Sequence, residues 1–318
     1  MIDLSTAAGL FLVAATVTAL ARAYFRAAKR ARLAPWGWAG AAIILLAEGL
    51  LCYGQRWVGI YFTPIAWTGY LLLVDAAVWS LRGESRLGSA RREFFALAFW
   101  SVPLWLVFEA YNLRLANWTY VGLPASPLLQ AIGYVWSFAT IWPAIFETAD
   151  LLGALGWFRP REGRRIVFSP GTRLSLIVLG LLFVVVPVLV PVRVGQYLFG
   201  AVWVGFVLLL DPINYLARGR ALLGELEAGR TLTLHSLLAS GLVCGILWEF
   251  WNYWAAAKWL YVFPIMHGWK IFAMPLAGFL GFPAFALESF VMYEFLGILR
   301  KQLASFGGGK GLKVPRSG

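Results

Sequence analysis

The sequence predicts an all-α, polytopic membrane protein of about nine transmembrane helices, built as a tandem parallel duplication of a four-helix unit. Three observations carry this. Of 318 residues, 61% are apolar and only 13% charged, where a soluble domain has roughly a quarter charged. Nine apolar runs have about the 20 residues that a helix needs to cross a bilayer. A set of acidic, aromatic and proline positions recurs in the same order at a nearly constant offset.

The runs are 6–25, 37–56, 60–81, 94–113, 128–152, 173–192, 195–216, 232–254 and 270–299. The first has its basic cluster after it rather than before it, so it reads as a retained helix with its N-terminus outside. Loop charge gives the orientation of the rest. With nine spans, Arg56, Arg114, Arg193, Lys258 and Lys270 fall on the outer side, and the other 22 of the 27 Lys and Arg fall on the inner side. Excess Lys and Arg marks the cytoplasmic face. The expectation is a bacterial-type cytoplasmic membrane, with the N-terminus out and the C-terminus in. Residues 1–36 form an N-terminal helix and basic loop, 37–155 a first repeat, 173–300 a second, and 301–318 a basic tail expected to be disordered.

The same charge pattern excludes other classes. A net charge of +12 could suit nucleic acid, but the basic residues sit in short loops between apolar runs, so no nucleic-acid partner is expected. Cys52 and Cys244 lie in separate apolar runs and form no disulfide framework or zinc site. The two histidines, His235 and His267, are too far apart for a haem or His-rich centre. No metal or cofactor is expected. Part of the tryptophan content, 17 residues, belongs at the headgroup level, where an amphipathic ring is favoured.

The duplication rests on named positions. Leu-Leu-Val-Asp75 aligns with Leu-Leu-Leu-Asp211 at an offset of 136, and Glu109-x-x-Asn112 with Glu249-x-x-Asn252 at 140. Trp118-x-Tyr120 aligns with Trp259-x-Tyr261 at 141, Trp142-Pro143-Ala144 with Phe282-Pro283-Ala284 at 140, and Glu147 with Glu288 at 141. Each copy has an even number of spans, so both lie the same way up, related by an axis near the membrane normal.

Charged groups inside a bilayer are costly and mark functional sites by default. The recurring carboxyls Glu109/Glu249, Glu147/Glu288 and Asp75/Asp211 are therefore the leading candidates. Asn112 and Asn252 lie three residues after a glutamate, on the same helix face, and could orient it, or could clamp neighbouring helices. The Trp-x-Tyr pairs read as interfacial belt or as an aromatic cap able to stabilise a cation. Pro143 and Pro283 predict kinks just before Glu147 and Glu288. Asp75 and Asp211 sit near inner helix ends, as solvated termini or as ligands for a headgroup.

The order acid, Trp-x-Tyr, then Pro followed by Glu resembles the membrane lycopene cyclase domain and its carotenoid hydratase relatives, which also occur as duplicated helical units. The helix count and the inner Asp residues resemble the architecture of UbiA-type prenyltransferases, without their multiple-Asp motifs. The cyclase likeness implies a cofactor-free isomerase or lyase acting on an isoprenoid or carotenoid. It implies catalytic roles for Glu109, Glu249, Glu147 and Glu288, and a cation path lined by Trp118, Tyr120, Trp259 and Tyr261; Asn112, Asn252, Asp75 and Asp211 join them as candidate substrate-binding residues from their spacing and position alone. In this chain the Pro–Glu spacing is longer than in that family, and no two acids are adjacent. A transporter and a non-catalytic assembly protein remain the alternative readings.

Overall fold

A computed structural model describes residues 3–28, 30–158, 163, 165–266 and 268–307. His267 and the tail after 307 lie outside the described residues. In chain order the helices are α1 (Leu4–Arg26), α2 (Pro35–Cys52), α3 (Arg56–Ile60), α4 (Phe62–Arg82), α5 (Arg86–Ser89), α6 (Arg91–Leu115), α7 (Pro127–Ala139), α8 (Ile141–Ala154), α9 (Pro170–Leu189), α10 (Val192–Gly195), α11 (Phe199–Leu216), α12 (Leu222–Glu227), α13 (Leu232–Trp254) and α14 (Gly281–Gly307). Four short strands complete the chain: β1 (Trp118–Val121), β2 (Lys258–Tyr261), β3 (Lys270–Ile271) and β4 (Met274–Pro275).

Among the described residues nine helical segments are long and apolar enough to cross a membrane. The protein is an all-α, multi-pass membrane protein. The outer helices α1 and α9 are mostly exposed, with Phe11, Leu174 and Leu182 turned outward. The buried core lies on α4, α8, α13 and α14.

Matched sequence positions have matched packing. A Cβ added at Gly69 of α4 would lie 2.8 Å from the carbonyl oxygen of Gly40 in α2. A Cβ at Gly180 of α9 would lie 2.8 Å from that of Gly205 in α11. In both pairs the backbones approach at small residues, the usual device where lipid tails leave no hydrophobic drive between helices. Helix α1 has no such partner helix and packs instead on α13 and β3, where Thr6 meets the Tyr253 hydroxyl at 3.0 Å.

Two sequence expectations change. The Trp-x-Tyr segments are strands, and they pair with each other. The β1–β2 ribbon is antiparallel, with Trp118 opposite Tyr261, Thr119 opposite Leu260 and Tyr120 opposite Trp259. Equivalent residues exchange places across it, so a local twofold axis passes between Thr119 and Leu260. That is the symmetry of two copies lying the same way up.

The second change concerns the prolines, which start helices rather than kink them. The fifth span breaks at Thr140, and Pro143 sits in the first turn of α8; Pro283 is the third residue of α14. Proline is tolerated there because the first-turn amides have no intrahelical acceptor. The break is satisfied by two side chains: Ser101 Oγ donates to the Phe138 carbonyl and accepts from the Trp142 amide at 3.1 Å, and Thr140 Oγ1 donates to the Ser137 carbonyl at 2.7 Å. The last span also starts later than 270, because β3, β4 and a 3₁₀ turn over Leu276–Leu280 come first.

Candidate functional site

The recurring aromatics converge on one chamber. Trp118 and Trp259, Tyr120 and Tyr261, and Trp67 and Trp203 line a cavity of about 160 Å³, closed further by Trp248, Phe282 and Phe285. Trp67 and Trp203 went unnoticed in the sequence, although they stand eight residues before Asp75 and Asp211 and share their offset of 136. The walls are largely apolar. Helix α7 forms one side through Tyr134, Ser137 and Phe138, while its other face exposes Leu128, Ile132 and Val135.

Two glutamates lie behind this chamber rather than on its wall. Tyr120 donates its hydroxyl proton to Glu109 Oε1 at 2.6 Å, and the same oxygen accepts the Trp105 indole N–H at 2.8 Å. In the second copy Tyr261 donates to Glu249 Oε1 at 2.5 Å and accepts from the Trp259 indole N–H at 2.7 Å. Glu249 is fully buried, and its second oxygen has no partner among the described residues. Burial, followed by the neighbouring carboxyl, pushes both phenols well above their ordinary range. Tyr120 and Tyr261 therefore stay protonated at neutral pH, and each links its glutamate to the chamber, with Trp105 a second link from Glu109.

Asn112 and Asn252 hold the ribbon. Asn112 Nδ2 donates to the Trp118 carbonyl at 2.9 Å, and its Oδ1 accepts from the amides of Asn117 and Trp118 at 2.8 and 3.0 Å. Asn252 Nδ2 donates to the Trp259 carbonyl at 2.9 Å, and its Oδ1 accepts from the Trp259 amide at 3.0 Å. Each asparagine fixes a strand by bonding a backbone donor and acceptor together, and neither orients its neighbouring glutamate.

Asp75 and Asp211 are equally matched and equally local. Asp75 accepts from the Leu87 amide at 2.8 Å, the Ser85 hydroxyl at 2.8 Å and the Trp36 indole at 2.9 Å. Asp211 accepts from the amides of Leu222 and Leu223 at 2.7 and 2.9 Å. Both carboxylates hold the first turns of the short loop helices α5 and α12, where free amides attract negative charge.

Glu147 and Glu288 are different again. Both are fully buried, and neither oxygen of either carboxyl has a hydrogen-bond partner among the described residues. An unpaired buried polar group costs roughly 1–3 kcal/mol, so these two positions are retained against a stability penalty. Neither lines the chamber. The remaining membrane acids are paired: Glu48 accepts from the Trp251 indole at 3.1 Å, Asp150 meets Arg86 at 2.7 Å, and Glu294 meets Arg220 at 3.2 Å. His235 stacks near Phe158, with ring centroids 5.7 Å apart, away from the chamber.

Chemically, the chamber offers aromatic walls and two phenol–carboxyl pairs. A phenol is too weak an acid to protonate a simple C=C bond, but hydrogen-bonded to a carboxyl group it can relay a proton to or from a polar atom. No family model matches this chain, and it matches no curated protein and no solved structure.

Proposed function

We propose that this protein holds one end of a long apolar lipid, of the isoprenoid or carotenoid type, in the aromatic chamber between its two copies. Its setting is a bacterial-type cytoplasmic membrane, with the N-terminus outside and the C-terminus in the cytoplasm. Tyr120–Glu109 and Tyr261–Glu249 are then the groups able to move a proton at the bound end. The observation that carries the reading is convergence: aromatic pairs from both copies and both Tyr–Glu pairs meet at a single apolar cavity.

Size decides how much of the ligand fits. An apolar cavity of roughly 150 Å³ admits benzene, so about 160 Å³ takes one ring and not a whole polyene. The chain of the lipid must leave the chamber. Helix α7 is the thin wall, one helix thick, between the chamber and an apolar outer face. A water-filled transport path over Glu109, Glu249, Asp75 and Asp211 is disfavoured, because both aspartates are bound to backbone amides and all four residues stand off the chamber wall.

The test is the organic-soluble material that copurifies in mild detergent, measured by mass spectrometry. The expected result is about one apolar lipid per chain. A Trp67→Ala/Trp203→Ala variant that still folds should retain under a tenth of it. A lipid-free wild type, or equal loading of the variant, would sink the reading in favour of an assembly role. In the same preparation, Glu109→Gln/Glu249→Gln should keep the lipid bound while changing the ratio of its chemical forms. An unchanged ratio would leave a binding protein without acid–base chemistry.

A further inference from the structure

One corner of the chamber carries two neighbouring donors without partners. Thr63 and Trp67 are four residues apart on α4, so they share a face, and both line the cavity. They are 8% and 1% exposed. Neither Thr63 Oγ1 nor Trp67 Nε1 has a hydrogen-bond partner among the described residues.

Both are exceptions to their surroundings. A threonine in an apolar helix satisfies itself by donating to the carbonyl four residues back. Thr68 does so to Pro64 at 2.8 Å and Thr148 to Ala144 at 2.7 Å. The corresponding carbonyl for Thr63 is that of Gly59, which accepts the Ala256 amide at 2.9 Å. Four other indoles near the chamber are matched: Trp105 donates to Glu109, Trp136 to Thr68, Trp251 to Glu48 and Trp259 to Tyr261; Trp118 Nε1, on the lining, is also without a partner among the described residues, but no second unpartnered donor lies one helical turn from it. Trp67 has only aromatic neighbours, the rings of Tyr70, Trp248 and Trp251 at 5.1, 5.1 and 4.9 Å, and an N–H over a π face is a weak substitute.

Two adjacent donors call for one acceptor with two lone pairs, and a carbonyl oxygen has them. Both donors are uncharged, so a neutral acceptor suits them. The one lysine of the lining, Lys258, gives one of its three N–H donors to the Tyr253 carbonyl at 2.7 Å. We propose that the bound ring carries a neutral acceptor oxygen, a ring ketone or quinone-type carbonyl, which accepts from both Trp67 Nε1–H and Thr63 Oγ1–H. This rests on the lipid reading and adds the chemistry of the end group to it.

The experiment uses the full chain in mild detergent with two probes sharing one isoprenoid tail, one ended by cyclohexenone and the other by cyclohexene. Equilibrium binding should favour the ketone by about tenfold, the order expected of one or two neutral hydrogen bonds. Trp67→Phe/Thr63→Val removes both donors and keeps an aromatic ring and a branched side chain at the two positions. It should abolish the preference, the ratio of the two probes' affinities falling to about one, whatever the smaller ring does to the affinity they share. Thr63→Ser, which keeps the hydroxyl, should keep the preference and serves if the double variant does not fold.

Equal binding of the two probes to the wild type overturns this inference and leaves the lipid reading intact. Binding of neither overturns both. A ketone preference that survives in the double variant, or is lost in Thr63→Ser, overturns the assignment to these donors.

Discussion

Asn252→Ala is expected to destabilise the protein by about 2–4 kcal/mol and to empty the chamber of lipid. The side chain is fully buried and bonds both the amide and the carbonyl of Trp259. Alanine removes two hydrogen bonds of about 1 kcal/mol each and leaves buried backbone groups unsatisfied at roughly 1–3 kcal/mol apiece. The effect reaches the chamber because Trp259 and Tyr261 belong to the four-residue strand that Asn252 anchors. Losing the register of β2 moves Tyr261 away from Glu249 and releases β1, its pairing partner.

Asn112→Ala should act in the same direction. The double variant should fall short of the sum of the two, because both asparagines support one ribbon. Denaturant unfolding in detergent, with lipid content measured alongside, checks this. A loss below about 0.5 kcal/mol with the lipid retained would show that the ribbon stands without its asparagines.

The second large effect is expected at the loop helices α5 and α12 and should spare the chamber. Asp211→Ala removes the acceptor of two backbone amides at the start of α12, which should cost about 2–4 kcal/mol. Asp75→Ala removes three donors' acceptor and should cost at least as much. Asn at 211 should not rescue fully. Both oxygens of Asp211 accept from amides, so one of them would face the Nδ2 donor of the new side chain. In each variant that folds, the kind and amount of bound lipid should match the wild type. If instead stability is unchanged and lipid is lost, the aspartates are ligand groups and the capping account fails.

Much of this molecule was legible in its sequence. The nine spans followed from the apolar runs, and the duplication from offsets of 136 to 141 over a handful of residues. The matched residues proved to have matched partners: Asp75 and Asp211 each bond an amide twelve residues on, and Glu109 and Glu249 each take a tyrosine hydroxyl. Less legible was what each pair does. Glu-x-x-Asn looked like an oriented acid, because three residues along a helix is a contact distance. The asparagine instead reaches forward to a strand that exists only as a partner of its own copy 141 positions later.

The proline expectation missed for a related reason. A proline in an apolar run reads as a kink, and only the tertiary structure places Ser101 of α6 beside the break at Thr140, where it makes a new helix start affordable inside the membrane.

By itself, then, the sequence determined the solvent, the helices and the repeat, because apolar length and ordered recurrence are one-dimensional quantities. Only the tertiary structure decided which of the recurring residues face a common space. The tyrosines of the two paired strands, Tyr120 and Tyr261, form part of the chamber wall, and the glutamates lie behind them. A carboxyl one layer behind a wall and a carboxyl on it have the same sequence spacing, and they differ only in what packs across from them.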